Sequence, residues 1–294
     1  MISVAICTFN RAESLRRTLE SLVSTAPPQV AGWELLVIDN NSSDATRAVV
    51  AAFESTLPVR YVFEAEQGLS QARNRAIREF RGGLLLFTDD DVTVDRSWLV
   101  AYEAASLRFQ VAWFFGGRIV PFWPKGRPRW LKDESLALIS GVLVNFQLGD
   151  ETREFGADDP LPFGASFALR RAAIDVIGEF RRDLGVNGGV PGRGEESDYL
   201  ARVRAAGGRG VYVGTASVHH WTDYRRLTTR YLYGYGVQTG IAMRRTGSDA
   251  SGSFFTAISY GVRGLLQLAR GRGDRYRQCV INVGIQIALK GSIG

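Results

Sequence analysis

Two patterns of hydrophobic and polar positions alternate over the first 90 residues of the chain. Four short apolar runs have the length of buried strands and cover residues 2–7, 33–38, 59–63 and 84–87. Between them, apolar residues recur at helical spacing over residues 13–24, 44–55 and 70–80. Strands that alternate with helices in this way predict an α/β fold, with a mostly parallel central sheet flanked by helices.

The pattern is less regular in the middle of the chain. Residues 111–120 and 161–169 are strand candidates, and residues 195–206 are a helix candidate. Three prolines and two tryptophans in residues 121–132 favour a loop, and five glycines in residues 185–194 favour a mobile loop. The middle region therefore predicts fewer regular elements than the first 90 residues.

From residue 223 onward the pattern predicts helices. Apolar stripes at 254–268 and 280–289 are flanked by arginines, and both are shorter than the roughly 20 residues that span a bilayer. They are expected either to lie in a membrane interface or to pack onto the main domain or a partner subunit. We therefore expect a helical C-terminal extension.

The net charge of +6 conceals a strong asymmetry along the chain. Residues 1–200 carry 22 Lys and Arg against 27 Asp and Glu, whereas residues 201–294 carry 14 against 3. The basic block lacks the regular aromatic residues of a single-strand binder, so a membrane surface or an anionic substrate is favoured over nucleic acid. With two distant cysteines and no signal-peptide pattern, we expect a cytoplasmic protein with peripheral contact at the inner face of the cell membrane through residues 223–294.

Polar residues stand where each predicted strand ends, the place at which open α/β sheets bind ligands. Asp89, Asp90 and Asp91 follow the fourth strand, and three adjacent carboxylates repel one another unless a cation offsets their charge. Mg²⁺ and Mn²⁺ prefer such oxygen ligands, so the Asp-x-Asp pattern predicts a metal site; a solvated acidic turn is the alternative. Asp39 follows the second strand, where it could accept hydrogen bonds from a base or ribose, with Ser42 or Ser43 capping the next helix.

Four strand-end segments together resemble a family 2 glycosyltransferase with the GT-A fold. They cover the first third of the chain in the family's order and read TFNR (8–11), VIDNNSSD (37–44), GLSQARN (68–74) and FTDDD (87–91). The resemblance implies a metal-dependent enzyme whose glycosyltransferase domain is 1–222, with a nucleotide-binding half, 1–110, and an acceptor half, 111–222. A basic helical region would follow at 223–294.

The resemblance also implies a site for a nucleoside diphosphate sugar. The residues expected at the nucleotide sugar are Thr8, Asn10, Arg11, Asp39, Arg73, Asp89 and Asp90. Among them Asp39 would lie at the base and Arg73 near the diphosphate. Asp91 would bind the ion, Asp89 would face the ribose or the ion, and Asp90 would be the least engaged of the three.

An acidic segment at a predicted helix start supplies candidates for the catalytic base. The family's Gly-Glu-Asp-x-Glu pattern aligns with residues 194–198, which places the base on Glu196, with Glu195 and Asp198 as candidate supports. Favourable acidic residues in the first turn of a helix are the alternative reading of this segment. By resemblance, the metal would also bind His220, the second histidine of a pair after a predicted strand, with His219 as fallback.

A small-residue segment resembles the part of the family that borders donor sugar and acceptor. There Gly164 and Ala165 would permit close backbone approach, and Ser166 would offer its hydroxyl to the sugar.

The function that the resemblance implies is transfer of a sugar, with inversion, from a UDP-sugar to a glycan, lipid-linked or small-molecule acceptor. Mn²⁺ or Mg²⁺ would be the cofactor, no nucleic acid is expected as partner, and a homo-oligomer is one expected state. The alternatives are a nucleotidyltransferase and a non-catalytic nucleotide-sugar-binding protein. A dehydrogenase is excluded because no GxGxxG follows the first strand.

Overall fold

A computed structural model describes residues 1–30, 32–187, 192–247 and 254–290 of the chain. Residues 188–191 of the predicted glycine-rich loop lie outside the described residues. The same holds for residues 248–253 and 291–294 of the predicted C-terminal region.

The described residues form nine strands and eleven α-helices. The strands are β1 (Ile2–Thr8), β2 (Trp33–Asp39), β3 (Val59–Phe63), β4 (Leu84–Asp89), β5 (Val92–Val94), β6 (Ala112–Phe122), β7 (Thr152–Glu154), β8 (Ser166–Arg170) and β9 (Arg209–Trp221). The helices are α1 (Ala12–Val23), α2 (Thr46–Ala51), α3 (Leu69–Glu79), α4 (Trp98–Arg108), α5 (Asp133–Leu138), α6 (Ser140–Leu143), α7 (Arg171–Ile177), α8 (Glu195–Ala205), α9 (Thr229–Thr246), α10 (Phe254–Ala269) and α11 (Gly273–Leu289). A 3₁₀ helix, Tyr224–Leu227, precedes α9.

The chain divides into two compact units, each assembled from three segments. The first unit consists of Met1–Val120, Phe146–Asp183 and Glu195–Trp221. The second consists of Pro121–Asn145, Leu184–Gly194 and Thr222–Gly294.

The sheet of the first unit has the strand order β3-β2-β1-β4-β8-β6-β9-β5, with β7 paired to β9. β3, β2, β1 and β4 are parallel, and β8 pairs antiparallel with β4. In register, Thr8 lies beside Asp39 and Cys7 beside Asp89, so the polar ends of three parallel strands meet at one edge. The topology thus brings together segments that are 31 and 82 positions apart.

Strands β1, β2 and β4 are buried along almost their whole length, as expected for strands that helices cover. One face packs in a core that contains Leu36, Ile38 and Phe87. Phe167 of β8 stacks on Phe87 with ring centroids 4.9 Å apart, and Phe180 meets Phe87 edge-on. These aromatic side chains form the floor beneath the candidate site described below.

Most predicted elements of the first 90 residues are confirmed, with shifted ends. The predicted helix 44–55 is only Thr46–Ala51, and turns occupy the residues that follow it. The predicted strand 161–169 begins only at Ser166, since Pro162 lacks the amide hydrogen that a strand pairs. Helix α4 escaped prediction because it is buried on several sides and shows no polar stripe.

The second unit has its own apolar core, built around Leu143, Leu232 and Ile281. Helices α9 and α11 approach closely where glycines face backbone: a methyl group on Gly236 would lie 2.1 Å from the Ile281 carbonyl oxygen. Helix α10 packs on α11 as well. Within the described residues no helix is long and apolar enough to cross a membrane.

Candidate active site

The acidic strand end and the histidine pair meet at the junction of β4, β5 and β9. Asp89 is the last residue of β4, and Val92 of β5 lies opposite His220 in the antiparallel register. Asp89, Asp91 and His220 each present one ligand atom, and these three atoms lie within 4.8 Å of one another. The expectation that the histidines follow a strand is wrong: β9 continues through both of them to Trp221.

The two histidines have different surroundings because successive strand residues face opposite sides of a sheet. The buried His220 places Nε2 3.2 Å from Oδ1 of Asp91, and its Nδ1 has no hydrogen-bond partner among the described residues. His219 instead contacts Asp95 at 3.1 Å, where both side chains are about 40 % exposed. Only His220 therefore joins the acidic group.

Asp90 turns away from this group and is bound by protein side chains. Thr8 donates its hydroxyl hydrogen to Oδ2 of Asp90 at 2.7 Å, and Arg11 bridges Asp90 and Asp91 at 2.9 and 2.7 Å. Burial raises the pKa of Asp90 to about 7 despite the nearby Arg11. Burial and the charge of Asp91 also raise the pKa of Asp89. The cluster is thus short of positive charge, even with Arg11 in place.

Arg73 lies in a second charged group rather than facing outward. Its guanidinium is buried, donates to Glu195 at 2.8 Å, and lies 3.7 Å from Glu196. It also lies over the rings of Phe87 and Phe167. In the structure the buried Arg73 guanidinium thus contacts the two glutamates, and its expected place near a diphosphate stays a prediction.

Glu195 and Glu196 differ in exposure although they are adjacent. The Glu195 side chain is 5 % exposed and that of Glu196 16 %. Burial, followed by repulsion from Glu196, raises the pKa of Glu195 to about 8 despite Arg73. Near neutral pH, Glu195 therefore retains a proton, which leaves Glu196 as the accessible carboxylate of the pair.

Stability should reflect this retained proton. A raised pKa in the folded state contributes stability that is complete below the ordinary pKa of 4.5 and is lost as the pH rises through about 8. Between about pH 5 and pH 8 the wild type should therefore lose at least about 1 kcal/mol of unfolding free energy relative to Glu195→Gln, whose amide cannot ionise. Urea unfolding at both pH values measures this, and parallel curves for the two proteins would contradict it.

Gly164 brings the backbone against both charged groups. A methyl group added there would lie 2.3 Å from Nη2 of Arg73 and 3.8 Å from Oδ1 of Asp89. The backbone at Gly164 therefore does approach other groups closely, and these groups belong to the protein. Ala165 is buried, and its carbonyl oxygen accepts a hydrogen bond from Thr88 at 2.8 Å.

Ser166 does not offer its hydroxyl to a sugar, contrary to the sequence prediction. The residue is completely buried in β8. Its oxygen accepts a hydrogen bond from Nε1 of Trp98 at 3.2 Å and pairs with the Tyr102 hydroxyl at 2.9 Å. Because both partners belong to the buried face of α4, Ser166 fastens this helix to the sheet.

Replacing Ser166 by alanine should therefore affect stability rather than donor binding. Ser166→Ala leaves the Trp98 and Tyr102 donors unsatisfied, which should cost about 1–3 kcal/mol of unfolding free energy. Ser106→Ala, at a half-exposed hydroxyl, is the control and should change little. If Ser166→Ala bound the nucleotide sugar more weakly at unchanged stability, the predicted contact between Ser166 and the sugar would be supported instead.

Asn10 and Asp39 lie in adjoining strand-end loops. Asn10 is exposed with φ of 51°, and its side-chain oxygen accepts from the Ser43 amide at 2.8 Å. Asp39 is buried and accepts from Tyr61 at 2.7 Å and from the Ser42 amide at 2.9 Å. The two side chains therefore help to order the adjoining loops that are predicted to bind the nucleotide.

The predicted cap of the second helix is wrong. Neither Ser42 nor Ser43 caps α2. Instead, Oδ1 of Asp44 accepts a hydrogen bond from the Thr46 amide at 3.0 Å.

Asp198 is not brought to the site. It pairs with Arg202 one turn along α8 at 2.9 Å and with Arg181 at 3.7 Å. The structure therefore does not support Asp198 as a catalytic support, because its carboxylate is held by arginines away from the other candidates.

Two motif asparagines were overlooked as structural residues. Asn40 accepts from the Gly68 amide and donates to the Glu66 carbonyl, which ties the second motif to the third. Asn74 exchanges two hydrogen bonds with the backbone of Phe180. Their positions inside the matched segments were the available signal, since a buried amide that satisfies backbone groups often fixes a loop.

Sequence comparison identifies relatives of this chain. The family model described as "Glycosyl transferase family 2" matches residues 3–178. "Succinoglycan biosynthesis protein ExoM" of Rhizobium meliloti (strain 1021) is 26 % identical over 234 residues, which are 79 % of this chain and 70 % of ExoM. Three further curated relatives match 33–36 % of this chain, and the matches span only 23–33 % of their own length.

Solved structures share the fold at low sequence identity. The mannosyltransferase PcManGT of Pyrobaculum calidifontis, in complex with GDP-Man and Mn²⁺, superposes with a TM-score of 0.62 at 15 % identity, over 99 % of this chain and 88 % of that one. TarS of S. aureus with UDP-GlcNAc gives 0.60 at 16 % identity, over 95 % of this chain and 90 % of that one. The predicted α/β fold class is thereby confirmed as GT-A. The family match over more than half of its residues shows that this chain belongs to glycosyl transferase family 2 and is a glycosyltransferase.

Proposed function

We propose that this chain is an inverting, metal-dependent transferase that moves a sugar from a nucleoside diphosphate sugar to an acceptor hydroxyl. One observation carries the proposal: Asp89 belongs both to a group that can hold a metal and to the surroundings of an accessible carboxylate. It lies with Asp91 and His220, and at Gly164 it adjoins Arg73, which lies 3.7 Å from Glu196: a methyl group on Gly164 would lie 3.8 Å from Oδ1 of Asp89 and 2.3 Å from Nη2 of Arg73. The candidate metal site and the candidate base thus lie close to each other.

The donor groups fit a divalent cation. Asp89 and Asp91 supply carboxylate oxygens, and the buried His220 supplies a ring nitrogen, with Nε2 3.2 Å from Oδ1 of Asp91. A histidine beside two carboxylates suits Mn²⁺ better than Mg²⁺, because Mg²⁺ prefers oxygen ligands alone. When bound, the cation would offset negative charge on the departing nucleoside diphosphate.

Glu196 is assigned the role of general base. The acceptor oxygen attacks the anomeric carbon from the face opposite the diphosphate, and the bond from that carbon to the diphosphate oxygen breaks. Glu196 takes the proton that the acceptor hydroxyl loses, so one displacement inverts the configuration. Glu195, which keeps its own proton, and Arg73 position the Glu196 carboxylate without contacting the sugar.

The donor is assigned as a UDP-sugar, with the nucleotide expected along the loops of Asn10, Arg11 and Asp39. The TarS structure with UDP-GlcNAc supports UDP, and the PcManGT structure with GDP-Man makes GDP the first competitor. The acceptor is a glycan, a lipid-linked sugar or a small molecule, and the likeness to ExoM supports polysaccharide or glycoconjugate biosynthesis. We assign this activity to residues 1–222.

The proposal is tested by screening donors. Several UDP-, GDP- and TDP-sugars are compared for thermal stabilisation with and without Mn²⁺, and the best donor is then used for transfer with product stereochemistry read by NMR. We expect one UDP-sugar to stabilise the protein only with the metal and to give an inverted product. Metal-dependent binding without transfer or hydrolysis would instead favour the non-catalytic binding protein.

A further inference from the structure

Helix α10 exposes an apolar stripe that the described residues of the second unit leave uncovered. Ile258, Val262 and Leu265 follow one another at helical spacing and are 49, 53 and 66 % exposed. Leu266 and Leu268 flank them, also about half exposed. Singly exposed apolar residues are common, but five on one helix form a continuous patch of the kind that marks an interaction surface.

The opposite face of α10 is already occupied. Ala257 is buried, and a methyl group on Gly264 would lie 3.2 Å from Cβ of Cys279 on α11. The helix therefore packs through small residues on one side and directs its large apolar residues outward. An amphipathic helix normally packs its large apolar residues against its own domain, and α10 has the reverse orientation.

Basic residues surround the exposed stripe. Residues 254–290 contain six Arg and Lys against a single acidic residue, Asp274. Arg263 lies on α10, and Arg270 and Arg272 lie at its C-terminal end, all exposed. Asp274 is itself bound, because it accepts a hydrogen bond from Ser135 at 2.7 Å.

A second basic segment adjoins the first turn of α11. The Ser135–Asp274 hydrogen bond and the stacking of Arg277 on Trp130, at 3.6 Å, attach the loop that precedes α5 to this turn. That loop lines a shallow surface cavity of about 470 Å³ whose lining includes Arg127, Arg129 and Lys132. Arg127 pairs with Asp133 at 2.6 Å, whereas Arg129 and Lys132 are exposed and can contact a phosphate.

From these observations we propose that α10 and the basic loop of residues 127–132 bind the surface of a bilayer that contains anionic phospholipid. The apolar stripe enters the interface while the arginines contact lipid phosphates. The helix lies along the membrane and does not cross it, since 16 residues extend about 24 Å and the hydrocarbon core is about 30 Å thick. This inference goes beyond the proposed sugar transfer and does not depend on it.

Charge favours the bilayer over a second copy of the chain. Two α10 faces brought together would set arginines against arginines, with no free carboxylate in residues 254–290 of either copy to pair with them. An anionic lipid surface supplies the opposite charge along the whole patch. An anionic bilayer therefore suits both the apolar stripe and the basic residues around it.

Vesicle flotation tests the proposal with the full chain. Wild-type protein is mixed with vesicles of phosphatidylcholine alone or of phosphatidylcholine with phosphatidylglycerol, at low and high salt. We expect binding to the anionic vesicles that weakens with salt, and a loss of roughly tenfold or more in Val262→Ser/Leu265→Ser. Arg270→Gln/Arg272→Gln should lower binding to anionic vesicles only.

The matched control is Val111→Ser/Val176→Ser, which removes two similarly exposed apolar side chains from the first unit. This control should bind vesicles as the wild type does, and circular dichroism should show that all variants remain folded. Equal binding by the control and the Val262→Ser/Leu265→Ser variant would overturn the proposal. So would size-exclusion chromatography showing a dimer that this variant converts to monomer, because the stripe would then belong to a second copy.

Discussion

Glu196→Gln is expected to lower the rate of sugar transfer by roughly 10²–10⁴-fold, because the amide cannot take the proton of the acceptor hydroxyl. The side chain keeps its size and its place beside Arg73, from which it lies 3.7 Å away. Donor binding should therefore change little. Initial transfer rates, together with calorimetric titration of the nucleotide sugar, separate the two effects.

Two comparisons make this result specific. Glu179→Gln removes an exposed carboxylate that pairs with Arg78 at 2.6 Å, and it should leave transfer unchanged. Glu195→Gln should retain more activity than Glu196→Gln, because Glu195 already carries a proton near neutral pH. Undiminished transfer by Glu196→Gln would refute the assignment, and a larger loss in Glu195→Gln would transfer the role of base to Glu195.

His220→Ala and Asp91→Ala are each expected to weaken Mn²⁺ binding by roughly a hundredfold or more and to reduce transfer accordingly. Each removes one of the three side chains that converge within 4.8 Å. Mn²⁺ affinity can be measured by electron paramagnetic resonance without any substrate, so this readout does not depend on knowing the acceptor.

The chain contains a matched control for this experiment. His219 of β9 and Asp95, which follows β5, form a second histidine–aspartate pair at 3.1 Å that is substantially exposed. His219→Ala and Asp95→Asn should leave Mn²⁺ affinity and transfer unchanged. If both histidine variants lost the metal equally, the distinction between the two sides of β9 would be wrong. Retention of Mn²⁺ affinity by His220→Ala would remove the histidine from the site.

The parallel half of the fold could be predicted because its signals are local. Each buried strand is a short apolar run with a polar end, and each helix shows its own spacing. The position of Asp89 at the end of a buried strand could therefore be predicted.

The roles of several residues could not be predicted because they depend on distant partners. Arg73 and Glu195 are 122 positions apart, and nothing near Arg73 in the sequence shows that its guanidinium is buried. Likewise, nothing near Ser166 in the sequence shows that Trp98 and Tyr102 hydrogen-bond to its hydroxyl. A motif thus reports that a residue belongs to the site region, whereas burial decides whether it faces a ligand or another side chain.

The adjacent histidines of β9 have a consequence for folding. A slip of β9 by one residue against β5 would turn His220 to the opposite side and bring His219 in its place, with every neighbouring side chain reversed as well. A cation held by Asp91 and His220 would stabilise only the native pairing, by the free energy of its binding. Metal present during refolding should therefore favour the native register of β9 against β5, before any sugar is bound.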